Sequence, residues 1–301
     1  MYTRMLIPLD SSKTAENVLP YGRILARTFQ IPVELMEVLD IAASHVAAEK
    51  ARHLETVVTE GERSSEQYLK KIASSFSDVN VRCTVERGRP EDVIIEKAAA
   101  DKTTLIAMAT HGRSGMSRWL LGSIAEKVLR ATTNPLLLVR ANEEAPTEGE
   151  AVLRSIIVPL DGSELAESVL PTAVKFARLL NIGMVLFRAY ELPASAYYGR
   201  ENYLPNYEEL KNRVKEQAQD YLDKRIEAIK AEGVQTVSSV LIEGPGPNEI
   251  IDYARKSPNA LITMCTHGRS GVKRWVLGSV TEKVVRHSGD PVLVMRGSAA
   301  L

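Results

Sequence analysis

The chain has 301 residues, 45% of them apolar and 25% charged, an ordinary globular composition with material for two domains. Its 38 basic and 38 acidic side chains cancel, which argues against duplex nucleic acid or an anionic membrane surface as partner, since both need a positive field. Two distant cysteines, Cys83 and Cys265, make neither a disulfide framework nor a metal cluster, and no apolar run approaches the ~20 residues of a membrane span. No basic region followed by a long apolar stretch marks a signal peptide, so a cytoplasmic protein is expected.

Short apolar, β-rich runs alternate with longer helix-patterned segments from the start. In the first half the predicted strands are 4–9, 33–39, 79–86, 104–109 and 136–140. Helices are predicted at 15–28, 45–76, 90–99 and 123–131, one between each pair of strands. Residues 142–150, rich in Glu, Pro and Gly, read as a solvated linker. Beyond it the same order returns. The stretch from Met5 to Ser12 recurs from Ile156 to Ser163, and the stretch from Leu105 to Gly115 recurs from Leu261 to Gly271. The offset between copies is 151 at the start and 156 from Gly88 and Gly244 onward. Five extra residues are expected in the Tyr-rich, Pro-bounded stretch 193–207, which holds Tyr197, Tyr198, Tyr203 and Tyr207. The expected division is a first domain at 1–141, a linker at 142–152 and a second domain at 153–301.

Strict strand–helix alternation implies parallel strands, right-handed crossovers and helices on both faces. The fold class is therefore α/β, two tandem doubly wound domains with five-stranded parallel sheets. Such sheets hold ligands beyond the C-terminal ends of strands where the winding reverses. Asp10 and Asp161 follow the first strand of each copy. The fourth strands run into Ala109-Thr110-His111-Gly112-Arg113 and Cys265-Thr266-His267-Gly268-Arg269. Nine residues separate Gly112 from Gly122, and nine separate Gly268 from Gly278; each second glycine precedes a serine, Ser123 or Ser279, and a predicted helix.

Two readings of that pattern stand side by side. Glycines let backbone N–H groups approach phosphate oxygens, and a helix N-terminus favours an anion. Alternatively, Ser123-x-x-Glu126 and Ser279-x-x-Glu282 are capping boxes that satisfy the helix without a ligand. The two are compatible.

The combination resembles the universal stress proteins of the ATP-binding type, which carry Gly-x-x-Gly, nine residues, then Gly-Ser/Thr, with an Asp after the first strand. The likeness covers both copies and implies an adenine nucleotide alpha hydrolase-like fold. It implies that Asp10 and Asp161 contact adenosine, and that Pro8, Leu9 and Val38, with Pro159, Leu160 and Ala189, flank the base. It assigns phosphates to Gly112, Gly122, Ser123 and Ile124, and to Gly268, Gly278, Ser279 and Val280. The implied ligand is ATP, AMP or ADP, with Mg held through the phosphates. The family's first glycine is Ala109 in copy one and Cys265 in copy two, a departure that places a Cβ beside the nucleotide.

Arg113 and Arg269 are phosphate candidates by charge, or solvated loop arginines. His111 and His267 have no evident catalytic partner and read as structural. Cys265 reads as an apolar filler, and Trp119 and Trp275 as packing residues. The final strands, 135–140 and 291–296, are apolar edges that a two-copy chain protects by pairing one against the other. The resemblance implies the same association and leaves other surfaces for a homodimer. The function expected is a nucleotide-binding stress or regulatory protein without a dedicated catalytic base, slow ATP hydrolysis aside. The alternative is a scaffold of the same fold that binds no nucleotide.

Overall fold

The computed structural model describes residues 2–40, 51–111, 121–140, 145–191, 207–266 and 277–297. Contacts divide the chain into two units. The first holds the residues up to Val152 with Pro291–Arg296, and the second holds residues 153–266, 277–290 and Gly297.

The first copy runs β1 (Arg4–Leu9), a 3-10 turn (Ala15–Val18), α1 (Leu19–Phe29), β2 (Val33–Leu39), α2 (Ala51–Ala73), β3 (Val81–Arg87), α3 (Pro90–Ala99), β4 (Thr104–Ala109), α4 (Ser123–Ala131) and β5 (Leu136–Val139). The second runs β6 (Ser155–Pro159), α5 (Glu164–Glu167), α6 (Leu170–Leu180), β7 (Gly183–Tyr190), α7 (Tyr207–Ala231), β8 (Val237–Glu243), α8 (Gly246–Arg255), β9 (Ala260–Cys265), α9 (Ser279–His287) and β10 (Val292–Met295). The helix predicted at 15–28 divides at Val18. Pro20 has no N–H to donate, so it is accommodated in the first turn of a new helix rather than inside a continuous one.

The first unit's sheet has the order β3-β2-β1-β4-β5-β10. Its first five strands are parallel, and β10 closes the edge antiparallel to β5, with Val292 opposite Leu138 and Val294 opposite Leu136. The expected pairing of the two final strands is thus present. In the second unit β9, β6, β7 and β8 follow in parallel order. The central strands are buried on both faces: Met5, Leu6, Ile7, Leu105, Ile106, Ile156, Ile157 and Ile262 are all at most 1% exposed. That is the burial expected of a sheet covered by helices on both sides.

Two features differ from the sequence expectation. The five extra residues are not confined to 193–207. Tyr68 on α2 donates to Glu16, and Tyr221 on α7 donates to Glu167, so these tyrosines are equivalent at an offset of 153. Two extra residues therefore precede Tyr221 and three follow it before β8, where α7 runs on further past its tyrosine than α2 does. The described part of the linker, 145–150, is largely exposed as expected, but its backbone is also docked on α1. Arg23 on α1 is 7% exposed and donates to the carbonyls of Thr147 and Gly149 at 2.9 and 2.6 Å. Its other nitrogens donate to Ser75 Oγ at 3.1 and 2.9 Å, and the guanidinium lies 5.5 Å from the Phe76 ring centroid. Arg27 pairs with Glu150, and Ala151 N–H donates to Pro20 O at 3.0 Å. At the position of Arg23 the second copy has Val174, 3% exposed.

Candidate functional site

Strand β1 lies between β2 and β4, so the sheet order reverses direction at its C-terminal end. The first residues beyond β1 and β4 are Asp10 and Thr110. Side chains alternate along a strand, and Pro8 is in register with Met36, so Pro8, Asp10 and Val38 share one face. By the same count Pro159, Asp161 and Ala189 share a face in the second copy, where Pro159 is in register with Phe187. A Cβ at Gly246 would lie 3.8 Å from the Ala189 Cβ, which places that face toward the start of α8. Leu9 and Leu160 are 5% and 3% exposed and belong to the opposite face, so what they offer a ligand is backbone.

Both aspartates are held the same way. Asp10 Oδ1 accepts from Ser12 N–H at 3.1 Å and from Ser12 Oγ at 2.6 Å. Asp161 Oδ1 accepts from Ser163 N–H at 2.9 Å and from Ser163 Oγ at 2.6 Å. The serine hydroxyl in turn accepts the N–H of Ala15 or Ala166, opening the next helical turn. The residue between is left-handed, Ser11 at φ 63° and Gly162 at φ 85°. Glycine takes this conformation without strain, whereas serine carries a small cost offset by its hydrogen bonds.

The fourth strand connects to its helix by a closed loop. Gly122 N–H donates to Thr110 O at 2.8 Å, and Gly278 N–H donates to Thr266 O at 2.7 Å. A Cβ on Gly122 would stand 2.8 Å from that same Thr110 oxygen, so the close approach of helix and strand itself requires glycine. Closure also decides which residue caps the helix. Gly122 and Gly278, not the serines, are the N-caps; neither helix has a side-chain cap bond. Glu126 pairs with Arg130 at 3.1 Å and Glu282 with Arg286 at 3.0 Å. The capping boxes are therefore not formed. Ser123 and Ser279 are exposed as first helical residues, with Ile124 half-buried and Val280 39% exposed beside them. The N-cap serine that does cap, Ser163 on α5, was not singled out from the sequence.

Gly112, Arg113, Gly268 and Arg269 lie outside the described residues, as do His267, Trp119, Trp275, Tyr197, Tyr198 and Tyr203. Ala109 is 6% exposed and Cys265 is 5% exposed. The ideal Cβ position at Gly297 is 2.8 Å from Cys265 Sγ and 2.7 Å from a Leu165 methyl, so the sulfur sits packed against α5. Thr281 Oγ1 donates to Cys265 O at 2.7 Å, a tie that Ala125 cannot make in the first copy. His111 Nδ1 is 3.1 Å from Thr110 Oγ1, and burial, with Arg140 nearby, pulls its pKa below the usual histidine value. Among the described residues its buried Nε2 has no hydrogen-bond partner.

A polar cluster behind each aspartate loop went unnoticed in the sequence, because it lies where the copies differ. Glu37, 3% exposed, accepts from Ser11 Oγ at 3.0 and 2.9 Å. Tyr68 OH donates to Glu16 at 3.1 Å; burial, then the charges of Glu16, Glu37 and Asp10, raise its pKa. The counterpart of Glu37 is Arg188. Its guanidinium lies 4.7 Å from the Tyr221 ring centroid, and a Cβ on Gly162 would be 3.3 Å from its Nη1 and Nη2. Tyr221 OH donates to Glu167 at 2.7 Å, and Arg225 pairs with the same carboxylate at 2.8 Å. No group of three or more His, Cys, Asp or Glu side chains among the described residues is arranged to hold a metal ion. No described helix is long and apolar enough to cross a membrane.

Comparison with known proteins agrees with this architecture. The model of the universal stress protein family matches residues 1–140 and again 153–296. A universal stress protein of Methanocaldococcus jannaschii is 30% identical over 151 residues, 49% of this chain and 85% of that protein. One from Mycolicibacterium smegmatis is 22% identical over 301 residues, 97% of this chain and 96% of its own. The crystal structure of a universal stress protein from Archaeoglobus fulgidus superposes with a TM-score of 0.71 at 20% identity, covering 98% of this chain and 99% of that one. The chain belongs to the universal stress protein family, with one family domain in each copy.

Proposed function

We propose that each copy binds an adenine nucleotide, ATP with Mg on its phosphates, and that the protein is a cytoplasmic stress or regulatory binder rather than an enzyme. The observation that carries this reading is the unspent helix start. In both copies the glycine closes the loop through its own backbone, and the exposed serine that follows makes no cap bond. A helix N-terminus with a free hydroxyl is suited to a phosphate group. Asp10 and Asp161, each with Oδ1 fixed by a serine, are suited to accept hydrogen bonds from ribose hydroxyls. Among the described residues the His, Cys, Asp and Glu side chains do not converge as a metal cage, and the ion is read as arriving with the phosphates. Burial lowers the basicity of His111, and its Nδ1 is taken up by Thr110 Oγ1, which suits a structural role better than a general base.

The scaffold reading is favoured by one observation, the Ala109 and Cys265 side chains at the family's glycine position. Against it, Cys265 directs its sulfur into packing with Leu165 and Gly297. Isothermal titration of the full chain with ATP and magnesium separates the two. Binding that weakens at least tenfold in the Asp10→Ala, Asp161→Ala double variant supports the nucleotide reading. An absence of heat with any adenine nucleotide leaves the scaffold.

A further inference from the structure

The two aspartate loops are alike in backbone and hydrogen bonding, but the groups behind them have opposite charge. In copy one, Glu37 is bonded to Ser11, the residue next to Asp10, and Glu16 is joined through Tyr68, whose pKa is raised first by burial and then by the charges of Glu16, Glu37 and Asp10. In copy two, Arg188 covers Gly162, the residue next to Asp161, and Arg225 neutralises Glu167. Arg225 stands where copy one has Ile72, at the same offset of 153 that equates the tyrosines. Three carboxylates in one copy therefore face two carboxylates and two guanidiniums in the other. Lys13 and its counterpart Glu164 run the opposite way, but both side chains are exposed, where water and salt screen them. Glu37 and Arg188 are not screened to that extent: Glu37 is 3% exposed, and Arg188 is half-buried over the Tyr221 ring.

Building on the nucleotide reading above, we infer that the residue at the second-strand end, Glu37 in one copy and Arg188 in the other, sets the charge each crevice accepts. The second copy then prefers the more anionic ligand, a nucleoside triphosphate. The first copy discriminates less between triphosphate and uncharged nucleoside. Fixed charges that are buried or half-buried act over several ångströms with less attenuation than surface charges. Because the nucleoside part meets the same Asp and Pro in both copies, the difference is carried by the phosphates alone.

The test uses the full chain and two photoactivatable probes, 2-azidoadenosine and 2-azido-ATP, with labelled peptides mapped by mass spectrometry so that each copy is read separately. The ratio of half-saturating concentrations, nucleoside over triphosphate, is expected to be on the order of tenfold larger in the second copy. Arg188→Gln should lower the second copy's ratio about threefold, and Glu37→Gln should raise the first copy's ratio about threefold. Glutamine removes charge while keeping a polar side chain at both positions, and circular dichroism confirms the fold of each variant. Equal ratios in the two copies, or ratios that neither substitution moves, overturn the inference while leaving nucleotide binding intact. Labelling that excess unlabelled ATP and adenosine fail to compete away overturns the nucleotide reading, and this inference with it.

Discussion

The two copies share their backbone at both strand ends and differ in what surrounds it, and the difference separates two kinds of conserved-looking sequence. Asp10 and Asp161 match in type and in the two hydrogen bonds that Oδ1 accepts from the serine two residues on. Gly122 and Gly278 match because each closes a loop onto a threonine carbonyl. Around these constants, Arg23 is Val174, Glu37 is Arg188, Asn134 is Asp290 and Ala125 is Thr281. Arg23 holds the backbone of 147–149, and its counterpart is the buried, apolar Val174. A repeat thus supplies its own control experiment: one copy displays the residue that the other copy lacks.

The largest expected effect comes from breaking what the copies share. Gly122→Val drives a branched side chain into Thr110 O, which a Cβ alone would approach to 2.8 Å. A loss of about 3 kcal/mol of stability in urea denaturation is expected. Loss of nucleotide in this variant would therefore report structure as well as binding, and the serine variants below are the cleaner probe.

Next is Arg23→Val, which gives copy one the residue of copy two. It removes the donors to Thr147 O, Gly149 O and Ser75 Oγ, for about 2 kcal/mol. Limited proteolysis should then cut within 145–150 at least several-fold faster. An unchanged cleavage rate would mean that Arg27 and Ala151 hold the strap without Arg23.

Asp290→Asn works in the other direction. In copy one the Asn134 side chain donates to Asp101 O and Thr104 O at 2.8 and 3.1 Å. The backbone of Asp290 repeats its neighbour's arrangement, with N–H to Ser288 Oγ at 3.1 Å matching Asn134 N–H to Thr132 Oγ1 at 3.1 Å. Burial pushes the Asp290 carboxyl up to about 6, the Ser288 hydrogen bond opposing. A carboxyl whose folded pKa exceeds its unfolded value of 3.8 holds its proton more tightly when folded. That contribution is therefore complete below pH 3.8 and is lost as pH rises to 6. Asparagine should add about 1 kcal/mol at pH 7, after allowing for partial exposure, and flatten the pH dependence of Tm in that window. An unaltered profile would assign the window to other groups.

The smallest stability effect is expected from Ser123→Ala and Ser279→Ala, each under about 0.5 kcal/mol, because neither serine caps its helix. Ser163→Ala, which removes a real cap, should cost about 1 kcal/mol. If Ser123→Ala costs as much as Ser163→Ala, the hydroxyl is a cap after all.

Much of the fold was legible because it is written twice. Strands at 4–9 and 104–109 and helices at 90–99 and 123–131 have the bounds expected from alternating apolar runs and Pro or Gly-Ser starts. The pairing of the last strands followed from the need to cover two apolar edges. What the sequence hid depends on three-dimensional closure. The capping boxes were a sound local reading, but loop closure onto Thr110 took the cap position for glycine. The docking of 145–152 was hidden because its composition is polar, and its anchor, Arg23, lies more than a hundred residues away. The Glu37 and Arg188 clusters were hidden because repeat comparison favours identities, and these are an inversion.

The central claim, that both copies hold nucleotide, is tested most directly by heat-denaturing freshly purified full-length protein and counting released small molecules by mass spectrometry. The account predicts close to two adenine nucleotides per chain once the protein has been saturated with ATP and magnesium and freed of excess. No bound nucleotide, before or after saturation, would contradict it.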